Sequence, residues 1–251
     1  MIYQGDIGLY LSGSQVPIKK CGIFVTQPKI KQIAQFGEDD FLMATQLFAD
    51  TENFIGDVRE GNPLLGDRSD FQILMIILHQ DSQLRDCVDK FFALAFPDYN
   101  VEFNKNSIDF KIEGTEGLKG SVNPFNYESF SQTIKELFQL KGKSESDYNP
   151  ANDKAKEIAE KLRKGREKAN KSSGKSQNVG SLFGTYISIL SVGMSMDMNI
   201  FYDYTPFQIY DTFNRYWMKV QSDFYTKIST TPMMDTSKME APQEWTDNIY
   251  I

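Results

Sequence analysis

Apolar positions along this chain change period several times, and each change predicts an element. Residues 2–11 and 16–25 are rich in β-branched and aromatic residues around Ser12-Gly13-Ser14, which predicts a hairpin. Pro28 then leads a short helix carrying Ile30, Ile33 and Phe36 at helical spacing, with Gly37 as its stop and a second helix over 38–49. Residues 50–67 hold four glycines or prolines without a period and read as a loop. Ser69 and Asp70 are capping types ahead of a helix over 71–79, and Asp81 or Ser82 caps another that Pro97 ends. Strands are expected over 100–103 and 108–112. Asn123-Pro124 then starts a helix with Phe130, Ile134, Leu137 and Phe138 on one face.

At Asn149 the pattern breaks. Residues 149–175 contain no aromatic residue, and Ala151, Ala155, Ile158, Leu162, Gly165 and Ala169 form only a thin apolar stripe. Glu157/Lys161, Glu160/Lys164 and Glu167/Lys171 are i,i+4 pairs, each adding about 0.2–0.5 kcal/mol to such a helix. A Ser/Gly/Asn-rich linker follows to Gly180. Beyond it, Leu182, Phe183, Tyr186, Ile187, Ile189 and Leu190 predict a buried helix ended by Gly193, with a short helix over 197–202. Thr205-Pro206 opens the longest helix, to about Ile228, in which Tyr210, Phe213, Trp217, Val220 and Phe224 make a continuous apolar seam. The remainder, interrupted by Pro232 and Pro242, reads as a loose tail anchored by Trp245 and Ile249. The expected architecture is an α+β N-terminal region over 1–142, a basic tether helix and linker over 143–180, and a small all-α C-terminal domain over 181–251.

Charge sharpens the break. Lys154–Lys175 holds nine Lys/Arg and three Glu, a local charge of +6, so the rest of the chain carries 18 basic and 31 acidic groups, or −13, within a total of −7. Overall acidity argues against a dedicated nucleic-acid binder, which needs positive potential. The basic segment reads first as a solvated connector. Its second reading is an electrostatic contact through Lys161, Arg163, Lys164 and Arg166, though without the interleaved aromatics a single-stranded nucleic-acid site uses.

Candidate chemistry is sparse. A zinc site needs about four Cys/His ligands, and Cys21, Cys87 and His79 are the only such residues. One histidine also removes most general-base schemes. Gly174-Lys175-Ser176 ends like a phosphate-binding loop but has Ala169 where the first glycine belongs. Glu38-Asp39-Asp40 complements a helix N-terminus rather than forming a carboxylate pair. No apolar run reaches membrane-spanning length, and Met1–Gly5 lacks the features of a signal peptide, so a cytoplasmic, non-enzymatic protein without cofactor or metal is expected. Seven of the ten methionines lie from Met194 onward; such side chains fill irregular cores and also serve surfaces that repack against partners.

The C-terminal run Leu182-Phe183-Gly184-Thr185-Tyr186, Met198-Asn199-Ile200-Phe201, Tyr204-Thr205-Pro206-Phe207-Gln208-Ile209-Tyr210 and Arg215-Tyr216-Trp217 resembles the C-terminal parts of tail assembly chaperones of tailed bacteriophages. The Asn149–Arg166 segment and Glu244–Ile249 are similar to tail-module proteins of phages of Gram-positive bacteria. The resemblance covers about 120–251 and only weakly the N-terminal region, whose size also suits a baseplate or neck component. It implies a factor that works in the host cytoplasm, binds tape-measure and tail-tube proteins during assembly, and is absent from the virion. Tyr210, Phe213, Tyr216, Trp217 and Trp245 are then the expected partner-binding residues, and self-association is compatible with this reading.

Overall fold

A computed structural model describes residues 5–62, 65–112, 117–138, 181–231, 241–247 and 250. The expected tether, with Lys161, Arg163, Lys164 and Arg166, and the expected anchor Ile249 lie outside the described residues.

The first element departs from expectation. Ile7–Ser12 is a helix, α1, because Asp6 accepts hydrogen bonds from the amides of Gly8 and Leu9, while Gly13 supplies the left-handed residue that closes it. The hairpin is confined to β1 (Val16–Ile18) and β2 (Ile23–Val25), joined through a 3-10 turn at Lys19–Cys21. Helices α2 (Ile30–Phe36) and α3 (Glu38–Ala49) follow as read. The expected loop is instead helix α4 (Thr51–Gly61): buried Ile55 packs with Leu65 and Ile73, and this tertiary contact overrides the poor propensity of Gly56.

Helices α5 (Asp70–Gln80) and α6 (Ser82–Ala95) start at Ser69 and Asp81, whose side chains accept from the first-turn amides. A three-stranded antiparallel sheet comes next, β3 (Tyr99–Phe103), β4 (Ile108–Ile112) and β5 (Leu118–Val122), in sequential order. The pattern reading missed β5, which contains Gly120 and irregular pairing beside Phe110 and Lys111. A turn over Asn123–Asn126 precedes α7 (Tyr127–Phe138), so the helix starts later than Asn123-Pro124 suggested. The C-terminal helices are α8 (Leu182–Met194), α9 (Met198–Tyr202) and α10 (Pro206–Ser229).

Helices and small antiparallel sheets thus share one molecule. Its largest core is aromatic: Phe48 meets Phe91, Phe92 and Phe130 at centroid distances of 5.9, 5.5 and 5.5 Å, and Phe92 reaches Phe96 and Phe110 beyond them. Phe183, Ile187, Leu190, Phe201, Phe207 and Ile209 belong to this same core. Phe207 packs edge-on against Tyr10 at 5.2 Å, and the amide of Ile30 donates to the carbonyl of Tyr204. No helix of the described residues is long and apolar enough to cross a membrane.

Candidate protein-binding surface

The C-terminal helices are held at their starts. Ser181 caps α8 through the amide of Gly184 at 2.8 Å, and Glu38 of α3 completes the cap, accepting from the Ser181 hydroxyl and, at 3.1 Å, from the Phe183 amide. Helix α9 is capped by Asp197. Helix α10 starts with a reciprocal Thr205/Gln208 cap and Pro206 in its first turn, and the Gln208 amide group donates to the Leu11 carbonyl at 2.7 Å.

Gly193 does not end α8. The helix runs on to Met194 and closes at Ser195, which adopts a left-handed φ of 54°, with Ser191 Oγ donating to the Met196 carbonyl. Gly193 instead admits Tyr216: a Cβ there would stand 2.1 Å from the phenol oxygen. That contact sets the C-terminal end of α8 beside Tyr216 of α10.

The five aromatic residues expected to bind partners separate into two groups. Tyr210 lies 5.9 Å from Phe183 and 5.4 Å from Tyr186, and Phe213 lies 4.5 Å from Tyr186. With Tyr216 they form the seam joining α10 to α8, and burial pushes the Tyr210 phenol well above its ordinary range. Trp217 is 52% exposed and Trp245 is likewise open to solvent. The Trp245 carbonyl accepts from Arg215 Nη1 at 2.9 Å, so its backbone is fixed while its ring remains outside.

From Trp217 onward no α10 residue is buried, although apolar spacing continues through Val220 to Phe224, which is 61% exposed. The sequence seam is therefore half packing and half open surface. Val192, next to Gly193 on α8, is 79% exposed, and Met194, Met198 and Ile200 are exposed on α8 and α9. Periodicity did not single out Val192, because it occupies the outer face of a helix whose composition is apolar all round.

Tyr250, not Trp245, anchors the tail. Its hydroxyl donates to Asp211 Oδ1 at 2.5 Å, its ring stacks on Phe207 at 6.2 Å, and the Arg215 guanidinium sits 5.8 Å from the ring centre. Burial first, then the bond to the Asp211 carboxylate, push its phenol up to about 12.

Elsewhere, several titratable side chains are engaged in structure. His79 Nδ1 meets the Met75 carbonyl at 2.6 Å. The Cys87 thiol donates to Asp40 Oδ1, and burial followed by that bond raises its pKa, opposite to what a nucleophilic thiolate needs. The hydrogen bond from Lys90 holds Asp40 below the usual carboxylate range. Cys21 is buried, which pushes its thiol up to about 12. Two clefts flank α7. One, of about 370 Å³, contains buried Glu136, which accepts from Gly5 N, the Tyr10 hydroxyl and Gln132. The other, of about 520 Å³, is rimmed by Asp50, Glu52, Asp70 and Glu128, with Lys135 as its one basic residue. Among the described residues no three His, Cys, Asp or Glu side chains are grouped to hold a metal ion.

The arrangement offers apolar contact: a helix fixed at one end presents Trp217, Val220 and Phe224 exposed toward the other. Comparison with protein-family models, curated proteins and solved structures returned no match for this chain.

Proposed function

We propose that the chain is a non-enzymatic assembly factor of the phage tail assembly chaperone type, acting in the cytoplasm of the infected bacterium on tape-measure and tail-tube proteins. The observation that supports a binding role is the Trp217–Val220–Phe224 stripe on the open half of α10. A stripe at 3-4 spacing is the form in which a helix enters a groove or pairs with another helix. Exposed aromatics of this kind are enriched among the residues that dominate interface energies. The identity of the partners rests on the sequence resemblance alone.

Tyr210, Phe213 and Tyr216 then act as positioning residues that hold α10 against α8, while Trp217 makes partner contact. The test is to tag the full chain in infected cells, quantify co-purifying proteins, and measure the chain in purified particles. Recovery with tail proteins, absence from particles, and loss of that recovery in Trp217→Ala/Phe224→Ala at unchanged melting temperature are expected. Fixed copies per particle would replace the chaperone reading with a structural virion role in the baseplate or neck.

A further inference from the structure

We infer that the Asn123–Asn126 turn and the adjoining Lys19–Cys21 turn form a second docking surface, taking an acidic segment of a partner protein that carries an apolar side chain. Phe125 is 98% exposed, the most exposed large apolar side chain among the described residues. Its backbone is nonetheless fixed. The Phe125 amide donates to Asn123 Oδ1 at 3.0 Å, and the Asn123 amide donates to Asn126 Oδ1 at 2.7 Å. Asn126 Nδ2 then donates to the carbonyls of Ser121 at 2.8 Å and Lys20 at 3.2 Å, tying the turn to both β5 and the hairpin. With the backbone of the turn locked, binding through Phe125 costs only the rotamer freedom of its ring.

Charge selects the partner. Lys19 and Lys20 are exposed on the turn that Asn126 grips, and exposed Lys119 has its carbonyl against Gly22 in the same junction. None of the three makes an ion pair among the described residues. Asp6, which shares the neighbouring cleft with Lys19 and Lys20, is engaged by the Gly8 and Leu9 amides. In a chain of net charge −7, these three lysines without ion pairs give the junction that holds the Phe125 turn a cluster of positive charge, with Glu128 of α7 as the exposed carboxylate three residues beyond Phe125. A short acidic peptide complements that charge. A longer nucleic-acid strand would run onto the acidic cleft on the other side of the turn, where Pro124 and Glu128 form part of the wall.

This surface is separate from α10 and does not depend on the assembly reading. The test is fluorescence anisotropy of a labelled synthetic peptide of alternating Glu and Leu, titrated with the full chain at low and moderate salt. Salt-sensitive binding is expected, weakened about tenfold or more in Phe125→Ala and in Lys20→Glu/Lys119→Glu, and unchanged in Trp217→Ala. Phe125→Ala touches no core residue, so its melting curve should match the parent, and it decides the matter if the charge-reversed variant fails to fold. No peptide binding, equal binding by both variants, or tighter binding of a single-stranded oligonucleotide through the same residues would each overturn the proposal.

Discussion

Gly120 of β5 lies so close to Cys21 that a Cβ at position 120 would stand 2.2 Å from the Cys21 carbonyl oxygen. Here the hairpin and the three-stranded sheet meet backbone to backbone, and only a residue without a side chain permits it. Because the obstacle is main chain, it cannot swing aside. Gly120→Ala is expected to destabilise the protein by about 2 kcal/mol or more, through displacement of the Lys19–Cys21 turn. Urea unfolding of the two proteins measures it, and equal midpoints would show that the junction yields.

The approach of Gly193 to Tyr216 differs in kind, since the obstacle is the end of a side chain. Gly193→Ala should cost about 1–2 kcal/mol, with steric displacement of the Tyr216 ring outweighing the helix-propensity gain of alanine. In a Tyr216→Ala background the same substitution should become stabilising by about 0.5–1 kcal/mol. A four-protein denaturation cycle reads the change of sign; the same sign in both backgrounds would mean that another contact sets the α8–α10 spacing.

Glu38 starts α3 and caps α8, which makes one carboxylate responsible for two helix ends. Glu38→Ala leaves the Phe183 amide without this acceptor, for an expected loss of about 1–3 kcal/mol. Hydrogen exchange should accelerate at the first amides of α8 while those around Phe48 stay protected. Uniform acceleration throughout would indicate that α8 does not open by itself.

Docking of Tyr250 should depend on alkaline pH. Its pKa is raised from 10.0 to about 12 in the folded chain, so the folded state favours the neutral phenol. The contribution is complete below about pH 10 and is lost as pH rises through about 12. Comparing tyrosinate absorbance of the parent and Tyr250→Phe isolates this one group. A difference spectrum centred at pH 10 would mean that the ring is not held at Asp211.

The legible parts of the fold were those whose local signals agree. Ser69, Asp81 and Thr205 cap the helices their positions suggested, and Ile134, Leu137 and Phe138 are buried together on α7. The errors arose where local signals conflict. Ile7-Gly8-Leu9-Tyr10-Leu11 has strand-like composition, and only the pairing of Asp6 with Gly13 as caps makes it helical. Residues 51–61 look like a loop because the contact stabilising the helix, Ile55 with Ile73, is tertiary. At the candidate surface, spacing located the α10 seam but could not tell Tyr216, which Gly193 accommodates, from Trp217 one residue on, which faces solvent. Phe125 was invisible to pattern because exposure of a single turn residue leaves no periodic trace.

Gln208 and Leu11, joined by a side-chain hydrogen bond, are 197 positions apart. At ordinary translation speeds of about 5–20 residues per second, α1 waits about 10–40 s at the ribosome before α10 emerges to cover Tyr10. Over that interval the face of Tyr10 that meets Phe207 has no partner from α10. The contact between the first helix and the last is therefore among the last the growing chain can make.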